Sequence, residues 1–277
     1  MKAAVVGHVE WIDFVRVDRL PGKGEIVHAS QWWEEPGGGG AAAAEQLRKL
    51  TSDAMFFTAL GDDERGESAY EDLTARGLKV HAARRSGPTR RGVTHIDATG
   101  ERTITVLGER LGPSIEDPLP WDELADCDVV YFTAGDERAL AAARKARVLV
   151  ATSRVFDTLC AANVELDALV GSALDPTEAQ DASLIDPPPR LVVWTEGERG
   201  GSFTPRGGIT ERWEAVPLPG PVVDRYGAGD AFAASLAYGL ATTGSPREAV
   251  RLAARCGAAV LTGRGPYEGQ LTAEDLG

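Results

Sequence analysis

Cysteine is scarce in this chain: Cys127, Cys160 and Cys256 are scattered over 277 positions. An odd, unclustered set supplies neither a disulfide framework nor the paired spacing of a structural zinc site, and it fits a reducing compartment. Long apolar runs are missing too. None approaches the roughly 20 residues that span a bilayer, and the opening Met1-Lys2-Ala3-Ala4-Val5-Val6-Gly7 turns polar too soon for a secretory leader. A cytoplasmic protein with no membrane partner is expected. Positive charge is in deficit, with 29 Lys and Arg against 42 Asp and Glu, a formal net charge of −13. That argues against a nucleic-acid partner, because phosphate backbones select basic surfaces. The chain has no internal repeat and no low-complexity linker. With 43% hydrophobic residues it can bury a substantial core, and one domain over residues 1–277 is expected.

What is present is concentrated at one turn. The short apolar segment Pro221-Val222-Val223 runs through Asp224-Arg225-Tyr226 into Gly227-Ala228-Gly229-Asp230 and then into a small-residue helix reaching Leu240. Glycines at 227 and 229 permit backbone angles that let successive N–H groups converge at the mouth of that helix. The unpartnered first-turn N–H groups and the helix dipole suit such a mouth to an anion, a phosphoryl group included. Asp230 has two readings: a favourable first-turn acid, or a general base that takes a hydroxyl proton while the turn holds the group under attack.

Elsewhere the pattern is α/β. From Asp128 onward, strand-like runs at Val129–Phe132, Val148–Val150, Ala168–Val170 and Leu191–Thr195 alternate with helical stretches, which indicates a parallel sheet with ligands bound beyond its carboxyl ends. Two β-rich segments stand apart. Trp11–Asp18 and Glu25–Trp33 read as one hairpin, and Arg91–Asp97 with Glu101–Leu107 as another. Arg91, His95 and Arg102 on the second are candidates for an acidic or phosphorylated substrate, or charges that keep an edge strand soluble. Pro36-Gly37-Gly38-Gly39-Gly40 opens an alanine-rich helix. Its Gly37-x-Gly39-x-x-Ala42 spacing, with Asp62 some way on, also fits a dinucleotide fingerprint, so a NAD(P)-dependent oxidoreductase is an alternative.

Asp224-Arg225-Tyr226-Gly227-Ala228-Gly229-Asp230-Ala231-Phe232 resembles the C-terminal signature of the PfkB/ribokinase family of carbohydrate kinases, usually Asp-Thr-x-Gly-Ala-Gly-Asp-x-Phe, with Arg225 in place of Thr. The resemblance extends over nearly the whole chain. The Gly38-Gly39 pair is similar to the family's N-terminal signature, Gly61-x-Asp63-x-x-Gly66 to its next segment, Asp175-x-x-Glu178 to its Asn-x-x-Glu, and Thr195-x-Gly197-x-x-Gly200 to its nucleotide strand end. It implies a ribokinase-like, doubly wound, mostly parallel sheet flanked by helices, lidded by a small β-sheet from about 11–33 and 91–107. It also implies ATP-dependent phosphorylation of a hydroxyl on a sugar or nucleoside-like molecule, with Asp230 as base and Gly227, Ala228 and Gly229 as anion hole. By the same resemblance Asp13, Glu10, Gly38 and Gly39 face the sugar; Thr195, Gly197, Gly200, Asp224, Arg225 and Gly263 the nucleotide; Asp175 and Glu178 a magnesium ion. The Gly263–Pro266 loop is similar to the family's adenine and monovalent-cation (K+) edge. Ala42 stands where the family carries a sugar-binding Asn. Trp11, Trp32 and Trp33 are expected to line the pocket, favouring a substrate with a planar portion, or to pack lid on lid in a homodimer. A catalytically silent ligand-binding member of the fold is a further alternative.

Overall fold

The computed structural model describes residues 1–277. Its strands, in chain order, are β1 (Ala3–Val6), β2 (Glu10–Arg16), β3 (Gln31–Gly37), β4 (Ala54–Gly61), β5 (Lys79–Arg85), β6 (Arg91–Ile96), β7 (Arg102–Leu107), β8 (Val129–Phe132), β9 (Val148–Thr152), β10 (Ala168–Ser172), β11 (Leu191–Thr195), β12 (Gly201–Pro205) and β13 (Glu211–Trp213). The helices are α1 (Gly38–Thr51), α2 (Glu64–Ala75), α3 (Glu137–Ala143), α4 (Phe156–Ala162), α5 (Ala228–Thr243), α6 (Pro246–Val260) and α7 (Ala273–Leu276).

Nine strands form the main sheet in the order β13-β12-β11-β10-β9-β8-β1-β4-β5. It is parallel from β11 to β5, and β12 and β13 extend it antiparallel. A parallel sheet must be covered on both faces, which explains why β1 and β4 are apolar and buried along their whole length. Alternate residues feed opposite layers: Ala3 and Val5 join the core under α1, α2, α5 and α6, while Ala4 and Val6 join the core under α3 and α4. This is the doubly wound architecture that the strand–helix alternation implies. In such a sheet the loops after β1, β8, β9, β10 and β11 all emerge on one edge, where they meet the start of α5.

The small sheet has the order β3-β2-β6-β7, with β2 parallel to β6 and the two outer pairs antiparallel. The second hairpin falls where it is expected. The first does not: its return strand is Gln31–Gly37 rather than 25–33, because Glu25–His28 has no strand beside it. The correction matters for the site, since β3 runs without a linker into α1, whose N-cap is Gly37.

Candidate active site

At the signature turn Gly227 adopts φ 81°, and a Cβ there would stand 2.9 Å from the Cβ of Pro266, so both backbone angle and space require glycine. At Gly229 an added Cβ would meet nothing within 4 Å. No side chain caps α5, so its first-turn N–H groups open onto free space. Asp224 is fully buried and accepts hydrogen bonds from the N–H of Tyr226 at 2.8 Å and of Gly265 at 3.0 Å. It therefore ties the turn to the 263–266 loop, although burial pushes its pKa upward. The Tyr226 hydroxyl in turn accepts from the Gly38 N–H at 2.8 Å, joining the turn to α1.

This linkage brings two helix starts together around Asp230. A Cβ added to Gly39 would lie 2.8 Å from Asp230 Oδ1 and 3.2 Å from Thr133 Oγ1, so the carboxylate sits against the opening of α1. Asp230 keeps partial solvent contact, but protein atoms enclose it on the remaining sides, and this burial raises its pKa against the pull of Arg154 and Arg102. Glu10 shares the neighbourhood: it is raised by burial and, more weakly, by the charge of Asp230, while Arg90 stands 3.1 Å away. Asp13 is instead engaged by Arg91, whose Nη2 donates to Oδ2 at 2.7 Å. Gly38 lies against Glu10 and His8. Arg102 has no carboxylate partner and lines the adjoining cleft. Ala42 is completely buried, and only its carbonyl is used, accepting from Gln270 Nε2.

The cleft beside Asp230 has a volume of about 960 Å³. Thr195, Gly197, Gly200 and Arg225 line it together with Asp175, Glu178 and the Gly227–Asp230 turn, and its inner wall is apolar, with Trp213, Val216, Leu218, Phe232 and Leu261. Asp224 and Gly263 do not line it. The first is turned inward as described, and Gly263 packs so tightly that a Cβ would stand 2.3 Å from the Gly269 nitrogen. Arg225 bridges two elements, with Nη2 3.1 Å from Glu198 beyond β11 and Nε 3.4 Å from Glu101 at the tip of the lid hairpin.

Glu178 is buried; its Oε2 accepts from the Ser172 N–H at 3.0 Å, and its Oε1 pairs with Arg154. Burial raises its pKa more than Arg154 lowers it. Asp175 closes a local turn by accepting from Thr177, with Arg154 3.7 Å away. Arg154 is thus central: it neighbours Asp175, Glu178 and Asp230 at once, and sequence reasoning missed it. It lies on a single turn after β9, outside any motif, and only the parallel topology brings it to the site.

Of the two places expected for the lid tryptophans, the pocket wall is not where they lie. Trp33 stacks on Phe14 with ring centroids 4.9 Å apart, the Trp11 indole N–H donates to Glu34, and Trp32 is 62% exposed. None lines the cleft or the cavity beside it. The dinucleotide alternative also loses its setting, since the Gly37 turn leaves a lid strand rather than a strand of the parallel sheet, where such a turn must sit.

The chain is 32% identical over 279 residues to an ATP-dependent ribose-1-phosphate kinase of Halopiger xanaduensis, covering 91% of this chain and 89% of that one. Among solved structures it is similar to a microbiome-derived acarbose kinase (TM-score 0.82, 22% identity, 99% of this chain and 97% of that one). It is also similar to the ribokinase of Arabidopsis thaliana complexed with ribose and ATP (TM-score 0.74, 20% identity, 99% and 97%). These give the ribokinase-like fold. With the pfkB family carbohydrate kinase model matching residues 1–273, the chain belongs to the PfkB family, whose members transfer a phosphoryl group from ATP to sugars and sugar derivatives.

Proposed function

We propose that this chain phosphorylates a hydroxyl of a sugar or sugar-like small molecule, with Asp230 as general base and the amides of Gly227, Ala228 and Gly229 as the anion hole. The observation that carries this reading is the position of Asp230, a carboxylate enclosed between the starts of α1 and α5 beside an open, N–H-lined turn. The acceptor hydroxyl lies against Gly38 and Gly39. As its oxygen bonds to the γ-phosphorus its proton passes to Asp230, and the bond to the β-phosphate oxygen breaks to release ADP. Charge on the transferring group falls on the first-turn amides, which need no rearrangement to receive it. Burial moves Asp230 toward the working pH, as a base requires. Thr195, Gly197, Gly200 and Arg225 hold the nucleotide along the cleft. The named relatives differ in acceptor, from ribose 1-phosphate to acarbose, so family membership leaves the acceptor open. Calorimetry with ATP and magnesium against NAD, followed by ADP release over a sugar panel, tests the reading; NAD binding without ADP release would overturn it.

Magnesium belongs to this reading as a companion of the nucleotide. Such an ion keeps several waters and takes phosphate oxygens as ligands, so it needs few contacts from the protein itself. Glu178, lining the cleft with Asp175 beside it, is the residue to hold one of those waters, and the bound ion neutralises phosphate charge. Glu178→Gln is expected to raise the magnesium concentration for half-maximal rate several-fold, roughly the loss of one charged ligand contact, with the fold retained. An unchanged magnesium titration would reduce Glu178 to a partner of Arg154 and Ser172.

By the same reading a homodimer would form through the lid. Both β3 and β7 are edges of the small sheet; Trp32 and Leu107 are exposed on one of its faces and Ile104 and Val106 on the other, so a second lid packed on either face would cover apolar side chains. Val106→Glu together with Trp32→Glu is expected to convert a dimer to a monomer in sedimentation. A wild-type monomer at micromolar concentration would refute the contact.

A further inference from the structure

The hydroxyl of Thr133 is a polar group at the acceptor site to which the reading above gives no task. The residue follows β8 directly, and because strand side chains alternate it continues the face of Tyr131, which belongs to the core under α1, α2, α5 and α6. Its main chain is fixed to the neighbouring strand: the N–H groups of Thr133 and Ala134 both donate to the Val6 carbonyl, at 2.8 and 3.3 Å. The side chain is fixed as well. Threonine has little freedom at χ1, and its methyl packs so closely on the loop after β1 that a Cβ at Gly7 would stand 2.6 Å from Cγ2. Held in this way, Oγ1 faces the opening of α1, 3.2 Å from the point a Cβ at Gly39 would occupy, where Asp230 Oδ1 also converges at 2.8 Å.

Thr133 is only 1% exposed, and its hydroxyl makes no hydrogen bond within the protein. Thr58 and Thr94 also carry unpartnered hydroxyls, but theirs are sealed in the interior. That of Thr133 meets the space between the starts of α1 and α5, the place assigned to the acceptor hydroxyl. The acids expected to grip the acceptor are committed elsewhere: Glu10 has Arg90 at 3.1 Å, and Asp13 accepts from Arg91 at 2.7 Å. Ala42, where the family carries a sugar-binding Asn, offers no side-chain partner at all. A buried hydroxyl left without a hydrogen bond is costly, and here a hydroxyl of the bound acceptor can supply the missing one.

We propose that Thr133 binds a second hydroxyl of the acceptor, beside the one that is phosphorylated, and so selects both the acceptor and the hydroxyl that reaches Asp230. The inference rests on the phosphotransfer reading above and adds a substrate-contacting residue to it. A threonine hydroxyl can donate or accept, so it pairs with a hydroxyl in either sense. Asp230 must keep a lone pair for the proton it takes, and a single contact there would leave the acceptor free to turn about it. A second contact on rigid backbone removes that freedom and holds one hydroxyl in line for attack. The fixed χ1 of Thr133, set by its methyl on Gly7, is what gives the contact its direction.

Thr133→Val keeps the shape and the methyl on Gly7 and removes only the hydroxyl, whereas Thr133→Ser keeps the hydroxyl. The test measures ADP release with ribose, glucose, adenosine and ribose 1-phosphate, each against analogues that lack one hydroxyl. For an acceptor that turns over, one deoxy analogue is expected to lose about tenfold to a hundredfold in kcat/KM with the wild type, the cost of leaving a buried hydroxyl unpaired. Thr133→Val is expected to lose a similar factor with the parent acceptor and nothing further with that analogue, at an unchanged melting temperature, and Thr133→Ser to restore most of the rate. A wild-type rate in Thr133→Val, or a deoxy penalty undiminished in it, would overturn the proposal. So would a displaced acid limb of the pH–rate profile in place of the hydroxyl dependence, which would make Thr133 a partner of Asp230 alone. Calorimetry of the same acceptors reads binding without turnover. Hydroxyl-dependent binding that Thr133→Val abolishes, with no transfer by the wild type, would support the contact and count against the transfer reading instead.

Discussion

Asp230→Asn is expected to lower turnover by about 10² to 10⁴-fold, the usual worth of a positioned base, while ATP binding is retained. The amide preserves shape and the contact with Gly39 but cannot take the hydroxyl proton. Stability should move the other way. Burial raises the Asp230 pKa in the folded protein, so the stability associated with this acid is fully present below its unfolded pKa and is lost as pH rises through the folded value. At neutral pH the ionised carboxylate is thus a cost to the fold, and removing its charge is expected to leave the melting temperature unchanged or slightly higher. The rate should also fall on the acid side at a pH above the ordinary aspartate range, and the residual rate of the Asn variant should lack that limb. Turnover near wild type, or a rate loss that tracks a lower melting temperature, would remove Asp230 from the chemistry.

The part of the site legible in the sequence is the part made by local backbone. Gly227-Ala228-Gly229-Asp230 is a turn and a helix start within a few residues, and its chemistry follows from glycine conformation and unpartnered amides. The strand–helix alternation gives the parallel sheet for a similar reason, since buried strands and amphipathic helices carry their own periodicities. What depended on distant pairing was not legible. Glu25–His28 has strand composition but no neighbour, so the lid hairpin is shifted to Gln31–Gly37, and the parallel β2–β6 pairing has no local signal at all. Asp224 belongs to the signature, yet its two amide partners turn it inward, which becomes visible only when Gly265 is placed beside it. Arg154 and Arg90 come from loops separated by a long stretch of chain, and nothing around either of them announces the other. Composition alone also cannot say which aromatic is free to stack on a substrate: Phe14 already occupies one face of Trp33 and Arg264 stands over its ring.

Gly39→Ala is expected to lower kcat/KM for the acceptor by about 10²-fold, with ATP binding and the fold retained, because a shift of about 1 Å in reacting groups costs that much. The new methyl would stand 2.8 Å from Asp230 Oδ1 and 3.2 Å from Thr133 Oγ1, inside the space between α1 and α5. Neither neighbour is backbone, so the methyl can be accommodated by turning the Asp230 carboxylate, which is the group whose aim the reaction depends on. The adjacent glycine provides the control. At Gly40 a Cβ would meet the carbonyl oxygen of His8 at 2.5 Å and its nitrogen at 2.7 Å, both main-chain atoms of the loop after β1. Gly40→Ala must therefore lift α1 from the sheet and should appear as a lower melting temperature, with activity lost in proportion to folded protein. The two variants differ by one position and one methyl group, and they separate reshaping of the acceptor site from damage to its support. Wild-type kcat/KM in Gly39→Ala would mean that the acceptor does not occupy the space between the two helix starts, and the position assigned to its hydroxyl would fall with it.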